Sequence, residues 1–131
     1  MHKRPLVTVY AVDDDPDVLA SLRFLLETEG FAVKTFADGS ALLSSSLPGP
    51  SDCLVVDYRM TGMDGLELVR HLRDRHVSSP VVLVTAYEGV AAKAAASGIR
   101  HVVMKPHIEE SLVAHVQAAM GEAGATRGDL R

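Results

Sequence analysis

The sequence predicts an α/β protein of three layers, in which a parallel β-sheet carries helices on both faces. Short apolar runs alternate five times with stretches at helical spacing. Most of these runs lack the apolar–polar alternation of a sheet with one solvent-exposed face, so they are expected to be strands of a sheet that is covered on both faces. Strands of this kind that alternate with helices are typical of parallel sheets. A length of 131 residues suits one domain.

The first strand and helix have clear boundary signals. Residues 6–12 form a near-continuous apolar run, which predicts the first strand. Asp15 is a typical N-cap, and Pro16 suits the first helical position that follows it. Apolar residues at helical spacing then continue to Gly30, which is a typical helix stop.

The remaining elements follow the same order. The other strands are predicted at the apolar runs 31–36, 53–56, 81–84 and 102–104. The other helices are predicted to begin near Asp38, Asp64, Gly89 and Ile108. Residues 1–120 are therefore assigned to the domain, while residues 121–131, which lack periodicity, are predicted to be a flexible tail or the start of a linker.

Composition narrows the class of protein. The chain has 13 basic and 17 acidic residues, a formal charge of −4, so we do not expect it to bind nucleic acid directly. Cys53 is the single cysteine, which excludes an internal disulfide and favours a reducing compartment. No signal peptide or membrane-spanning pattern is recognisable, so a cytoplasmic location without membrane contact is expected.

Polar residues with chemical uses follow four of the five predicted strands. Asp13 and Asp14 follow the first strand, Asp57 the third, Thr85 the fourth and Lys105 the fifth. Ligands of open parallel sheets bind outside the carboxyl ends of the strands. We therefore expect these five side chains to converge at one edge of the sheet.

The types of residue at that edge point to phosphoryl chemistry. Three neighbouring carboxylates repel one another unless a cation neutralises them, and carboxylate oxygens suit Mg²⁺. A carboxylate can also act as a nucleophile towards phosphorus. The transferred phosphoryl group needs a metal, an ammonium and a hydroxyl donor around its oxygens. Asp14, Lys105 and Thr85 match these three needs.

In this order and at these strand ends, the motifs resemble the receiver domain of bacterial two-component response regulators, over residues 5 to about 120. The loop Met-Thr-Gly-Met-Asp-Gly at residues 60–65 and the pair Lys105–Pro106 also carry the resemblance. It implies a flavodoxin-like, CheY-like α/β/α sandwich with strand order 2-1-3-4-5. The pair Arg59-Met60 is most similar to FixJ-type receivers, which commonly precede a LuxR-type DNA-binding domain.

The resemblance implies a signalling role for the chain. Asp57 would be the phosphoacceptor, and Thr85 and Lys105 would contact the phosphoryl oxygens. The donor would be a phosphohistidine on a histidine kinase or a histidine phosphotransfer protein. The only reaction expected of the chain itself is autodephosphorylation, so it would not be an enzyme that acts on an outside metabolite.

The resemblance also implies a metal site. Mg²⁺ or Mn²⁺ would be held by Asp14, Asp57 and the backbone carbonyl of Arg59, with Asp13 acting through water. Arg59 and Tyr87 stand two residues after the phosphoacceptor and the threonine. They would flank the phosphoryl group and tune how fast water reaches it.

Three features depart from the family pattern. Thr61 replaces the usual proline, which is expected to leave the loop after Asp57 freer. Val102 stands where most receivers carry Tyr or Phe. The chain between Thr85 and Lys105 is a little shorter than usual, so the fourth helix or its entry loop is expected to be short.

The last two departures concern one face, built by the fourth helix, the fifth strand and the fifth helix. In the family this is the usual dimer and signalling surface, and here it includes His101, Val102 and Pro106. We therefore expect output through a different or rearranged face, from a monomer or a phosphorylation-dependent dimer. The Lys105–Pro106 peptide is expected to be cis, as this family implies.

Three functions remain open at this point. The chain could be a stand-alone receiver whose output is a protein–protein contact. It could instead be the N-terminal receiver of a transcription regulator whose DNA-binding domain is not part of this sequence. A small aspartyl-phosphate phosphatase or nucleotide-binding protein is disfavoured, because no Gly-rich phosphate loop follows the first strand.

Overall fold

The computed structural model of the chain describes residues 7–105 and 108–128. Five strands alternate with five helices in the described residues, and their bounds are β1 Thr8–Val12, α1 Pro16–Thr28, β2 Ala32–Phe36, α2 Gly39–Leu43, β3 Cys53–Asp57, α3 Gly65–Asp74, β4 Val81–Thr85, α4 Val90–Ala96, β5 His101–Met104 and α5 Ile108–Gly128. All strand pairs are parallel, in the order β2-β1-β3-β4-β5. The predicted fold class and strand order are confirmed.

Local sequence signals set the boundaries of α1. The Asp15 side chain accepts a hydrogen bond from the backbone N–H of Asp17, and Pro16 stands at the first position. At the other end, Gly30 has a φ of +95°, a left-handed conformation that glycine adopts at no steric cost. The N–H groups of Gly30 and Phe31 return to carbonyls of the last turn, which closes the helix.

The start of α3 carries the predicted capping box. The Asp64 carboxylate accepts from the N–H of Glu67, and the Glu67 carboxylate accepts from the N–H of Asp64. Asp38 caps α2 in the same sense, by accepting from the N–H of Ala41. These local caps fix the positions at which α2 and α3 begin.

The sheet separates two apolar cores. Helices α2, α3 and α4 cover one face, where the buried residues are Tyr10, Val12, Leu42, Leu54, Val56, Leu68, Val69, Leu72, Val77, Val81, Leu83, Val90, Ala94 and Ile99. Helices α1 and α5 cover the other, where they are Val9, Ala11, Leu22, Leu26, Val33, Cys53, Val55, Val82, Val84, Val103, Leu112, Val116 and Ala119. Strands β3 and β4 are buried along their whole length, so the site at their ends rests on the most protected part of the sheet.

The last helix differs from the expected end of the domain. α5 continues to Gly128, past the predicted boundary at residue 120, so most of the predicted flexible tail is helical here. The division between domain and linker stays a prediction. The Lys105–Pro106 peptide lies outside the described residues. Within the described part of the chain, none of the helices has the length and hydrophobicity needed to span a bilayer.

Candidate functional site

Three carboxylates meet at the carboxyl edge of the sheet. Val12 and Val56 are register partners on the neighbouring strands β1 and β3, so the residues that follow them come together. Carboxylate oxygens of Asp13, Asp14 and Asp57 all lie within 4.8 Å of one another. Asp13 and Asp57 are buried, with 2% and 5% of their surface exposed, whereas Asp14 is exposed.

Lys105 brings one ammonium group to this cluster. Its Nζ lies 3.2 Å from Oδ1 of Asp57 and 3.6 Å from Oδ2 of Asp13. The lysine follows β5, an edge strand, and its N–H donates to the carbonyl of Thr85 at 2.8 Å. This bond continues the parallel ladder past the end of β5, so the side chain can cross the end of β4 to reach Asp57.

The cluster has more acidic groups than basic groups. Burial, followed by repulsion from Asp13, raises the pKa of Asp57 from 3.8 to about 6, although Lys105 acts against this. Burial also raises the pKa of Asp13. Desolvation by itself lowers the pKa of Lys105, but the two carboxylates outweigh it and the pKa is raised. One ammonium therefore faces three acidic groups.

The cluster and its charge fit a hard divalent cation. Mg²⁺ prefers carboxylate oxygens and keeps several waters, so it needs few protein ligands and an accessible side. The exposed Asp14 beside the buried Asp13 and Asp57 provides both. A cation would also relieve the repulsion that raises the pKa of Asp57.

Thr85 holds a hydroxyl at the same edge. The residue is 1% exposed, and its Oγ1 accepts a hydrogen bond from the N–H of Tyr87 at 3.0 Å. The hydroxyl hydrogen is not used in that bond. It is therefore available to donate to a ligand oxygen that binds at the edge.

The loops after β3 and β4 meet through a cation–π contact. The guanidinium carbon of Arg59 lies 4.7 Å from the centre of the Tyr87 ring. Tyr87 is 46% exposed, and Phe24 on α1 is the other large hydrophobic side chain that is exposed among the described residues. The two predicted modulatory residues are thus in contact. The backbone carbonyl of Arg59 as a metal ligand stays a prediction.

The loop after Asp57 is tied at both ends. A Cβ at Gly65 would lie 2.6 Å from the Asp57 carbonyl oxygen, so only glycine allows this approach of the α3 start to β3. The N–H of Gly65 also donates to the Tyr58 carbonyl at 2.8 Å. Within the loop, Thr61 donates from its N–H and its hydroxyl to Oδ2 of Asp14, at 3.1 and 3.2 Å.

The Thr61 contacts bear on the expected freedom of this loop. Two hydrogen bonds connect the loop to the turn after β1. A proline at this position has no N–H and no hydroxyl, so neither bond could form with it. Both contacts oppose the extra freedom that the loss of proline predicts, and the freer loop stays a prediction.

Comparison with known families identifies the fold and its function class. Residues 9–117 match the family described as the response regulator receiver domain. The chain belongs to the response regulator receiver domain family. The predicted resemblance is confirmed, and the carboxyl-edge cluster lies within the matched residues.

Curated relatives agree with this assignment. The chain is 35% identical to the transcriptional regulatory protein FixJ of Azorhizobium caulinodans, over 88% of this receiver and 56% of that protein. It is 37% identical to the transcriptional regulatory protein PrrA of Mycobacterium tuberculosis, over 90% of this receiver and 52% of that protein. The chain thus spans a little over half the length of these relatives.

Solved structures give the same fold. The response regulator StyR superposes with a TM-score of 0.84 at 33% identity, over 95% of this receiver and 64% of that chain. The chemotaxis protein CheY4 of Vibrio cholerae gives 0.76 at 24% identity, over 88% and 99%. The second likeness supports the fold alone.

The face expected to carry output is partly described. Val102 is half-buried and packs against the core under α2, α3 and α4. His101 contacts His115 of α5, with 3.1 Å between their Nδ1 atoms. Pro106 lies outside the described residues. Sequence reasoning missed the pairings of Thr61 with Asp14 and of His101 with His115, because they join residues far apart in the chain.

Proposed function

We propose that this receiver is a phosphoacceptor in a two-component system or phosphorelay, with Asp57 as the acceptor. The observation that carries the proposal is the 3.2 Å contact between Lys105 and Asp57 within a cluster of three carboxylates. A buried carboxylate beside an ammonium, with further carboxylates able to hold a cation, suits phosphoryl acceptance. Burial and repulsion from Asp13 raise the pKa of Asp57 to about 6, and carboxylates with strongly perturbed pKa values cluster at functional sites, which supports the proposal.

In the transfer, a carboxylate oxygen of Asp57 attacks the phosphorus of a phosphohistidine on a histidine kinase or a histidine phosphotransfer protein. An O–P bond forms while the N–P bond breaks, and the leaving imidazole takes up a proton. Lys105 pairs with one phosphoryl oxygen, and the Thr85 hydroxyl donates to another. Later, water attacks the phosphorus, which releases inorganic phosphate and restores Asp57.

Asp14, Asp57 and the Arg59 carbonyl would hold Mg²⁺ or Mn²⁺, with Asp13 acting through water. When bound, the cation neutralises charge on the phosphoryl oxygens. Contacts within the chain hold Asp13 at the proposed metal site. Asp13 accepts from the N–H of Asp15 at 2.9 Å and stays beside Lys105, which balances part of its charge.

The decisive test is an intact-mass spectrum after incubation with acetyl phosphate and Mg²⁺. We expect a gain of one phosphoryl group that disappears with a chelator and in Asp57→Asn. If Asp57→Asn still gained the phosphoryl group, a residue other than Asp57 would be the acceptor. If the wild-type chain gains nothing, beryllofluoride binding distinguishes a short-lived phosphoryl group from a pocket that accepts none.

We also propose that the Arg59–Tyr87 contact controls the access of water to the phosphoryl group. Tyr87 is tied to Thr85 through its N–H and to Arg59 through its ring. Tyr87→Ala should therefore change the autodephosphorylation rate, measured as loss of mass over time. Phe24→Ala, which removes the exposed aromatic on α1, is the matched control. Equal lifetimes in wild type and Tyr87→Ala would refute this role.

Two proposals concern the wider role of the receiver. As a stand-alone module, the receiver would act through a protein–protein contact. Its likeness to FixJ and PrrA, of which it spans just over half, favours the N-terminal receiver of a transcription regulator. The length of the gene product, and DNA binding by it, separate the two.

The surface used for output is also a proposal. Val102 has no aromatic ring, so a conformational change that passes through β5 would have to involve another side chain. Light scattering with and without beryllofluoride tests whether the receiver is a monomer or a phosphorylation-dependent dimer. A beryllofluoride-bound dimer built through α4, β5 and α5 would contradict the use of a different face.

A further inference from the structure

The contact between Thr61 and Asp14 joins two parts of the site that are 47 residues apart in the chain. The backbone N–H of Thr61 donates to Oδ2 of Asp14 at 3.1 Å, and its hydroxyl donates to the same oxygen at 3.2 Å. One residue thus supplies two donors to one carboxylate. Serine and threonine are the residues that can do this from a backbone N–H and a hydroxyl.

The Asp14 side chain relies on Thr61 for its hydrogen bonds, whereas Asp13 and Asp57 have other partners. Asp13 accepts from the N–H of Asp15 and pairs with Lys105, and Asp57 pairs with Lys105 as well. In the described part of the chain, the hydrogen bonds to the Asp14 side chain come from Thr61. Asp14 is also the exposed member of the cluster, so its carboxylate would otherwise turn freely in solvent.

The contact still leaves room for a cation. A carboxylate offers about four lone-pair sites, and Thr61 uses two of them. The remaining lone pairs stay available while the side chain is kept near Asp13 and Asp57. Ligating carboxylates in proteins are commonly held by hydrogen bonds of this kind, and their loss weakens metal binding.

We propose that Thr61 is a positioning residue for a divalent cation, which it serves by orienting Asp14. The inference rests on the proposed function, because it assumes that Asp14 is a ligand. Proline at position 61 would remove both donors, and valine would remove the hydroxyl while keeping the N–H and the branched shape. The series threonine, valine, proline therefore removes the contact in two steps.

The experiment measures Mn²⁺ affinity from the electron paramagnetic resonance signal of the free ion. For the wild type and Thr61→Ser, which keeps both donors, we expect the same dissociation constant. Loss of one hydrogen bond in Thr61→Val should weaken binding about threefold. Loss of both in Thr61→Pro should weaken it by about tenfold, the low end for such partners. Competition by Mg²⁺ should give the same order.

Two controls separate positioning from a general effect on the fold. Thr28→Val removes an exposed hydroxyl at the far end of α1, where it donates to the Phe24 carbonyl, and should leave the affinity unchanged. In an Asp14→Ala background, Thr61→Val should have no further effect on Mn²⁺ affinity, because no side-chain acceptor is then left at position 14. A full effect in that background would overturn the proposal.

The remaining outcomes are distinct. Unchanged or tighter binding in both Thr61→Val and Thr61→Pro would overturn the proposal and leave the proposed function intact, since tighter binding would mean that Thr61 competes with the ion. A wild-type chain that binds no Mn²⁺ would count against the proposed function as well. If Thr61→Pro does not fold, Thr61→Val against Thr61→Ser decides.

Discussion

The polar groups at the two ends of the sheet differ in how well they are paired. At the amino ends of the strands, buried or half-buried polar groups find partners inside the chain. At the carboxyl ends, two buried carboxylates lie beside a third and share one ammonium. Both ends are built on the same strands, so the difference comes from the side chains that the loops present.

The amino end is a set of satisfied contacts. The Ser79 hydroxyl donates to the Gly49 carbonyl at 2.6 Å, and Asp52 accepts from the N–H groups of Thr8 and Gly49. Arg73 donates to two backbone carbonyls ahead of β4, both at 2.9 Å. These bonds lie within the loops before β3 and β4 or join those loops to each other, to β1 and to α3. This end therefore contributes stability.

The carboxyl end holds charge that folding does not favour. Burial and the neighbouring carboxylate raise the pKa of Asp57, which means that its charged form is less stable in the folded protein than in water. Such an arrangement is retained where a ligand supplies the missing compensation. The sheet is thus stabilised by satisfied contacts at its amino end and carries incompletely compensated charge at its carboxyl end.

The largest expected effect tests how closely the carboxyl end of the sheet is packed. Gly65→Ala places a Cβ 2.6 Å from the Asp57 carbonyl oxygen and 3.0 Å from a Leu83 methyl, so the backbone must shift. We expect a loss of about 3 kcal/mol in the free energy of unfolding, the upper part of the range for overpacking. Urea denaturation measures it. Gly89→Ala, where no atom lies within 4 Å of the new Cβ, is the control and should cost far less.

The next expected effect is an increase in the free energy of unfolding. Asp57→Asn removes a buried charge, so the metal-free protein should gain roughly 1–2 kcal/mol at neutral pH, less than the full pKa shift implies because the Lys105 pair is lost too. The folded pKa is raised to about 6 from 3.8, so the folded state binds more protons between these values. Stability of the wild type therefore rises as pH falls through about 6.

Urea denaturation of both proteins in chelator, at pH 7.5 and at pH 4.5, tests this prediction. The advantage of Asp57→Asn should be clear at the higher pH and smaller at the lower one. A variant that is less stable than the wild type at pH 7.5 would show that the Lys105 pair outweighs the burial of the charge.

A smaller effect is expected at the amino end. Ser79→Ala removes the hydroxyl bond of a buried side chain to the Gly49 carbonyl, which keeps the N–H of Asp52 as its donor, and should cost about 1 kcal/mol. The loss should be the same with and without Mg²⁺, because the residue lies at the end of the sheet away from the carboxylates. Ser46→Ala, at an exposed serine in the loop after α2, serves as the control. A Mg²⁺-dependent loss would contradict the separation of the two ends.

The smallest effect concerns the edge of the sheet between β5 and α5. Partial burial and then His101 lower the pKa of His115 below 6.5, so the folded state holds its neutral form. Stability from this pair should be present above pH 6.5 and fall as pH drops below it, because the unfolded state then binds more protons. Thermal unfolding of wild type and His115→Gln between pH 7.5 and 5.5 measures the difference. His71→Gln, at an exposed histidine on α3, is the control substitution.

Local signals made the elements and the fold predictable. Asp15 with Pro16, and Asp64 with Glu67, act through atoms a few residues away, so their caps follow from the order of residues alone. Strands β1, β3 and β4 are buried almost throughout because helices cover both sides of the parallel sheet, whereas the edge strands β2 and β5 have one buried residue each. The convergence of Asp13, Asp14, Asp57, Thr85 and Lys105 followed from the rule that parallel strands share a carboxyl edge.

The sequence by itself thus determined the fold class, the strand order through the family it resembles, and which polar residues stand at the edge. The tertiary structure decided the pairings across the edge: Thr61 with Asp14, Arg59 with Tyr87, and His101 with His115. It also decided which carboxylates are buried and so have a raised pKa. The physical reason is that loops have no repeating pattern, and desolvation and contacts between distant residues depend on distances that exist only when the elements are packed.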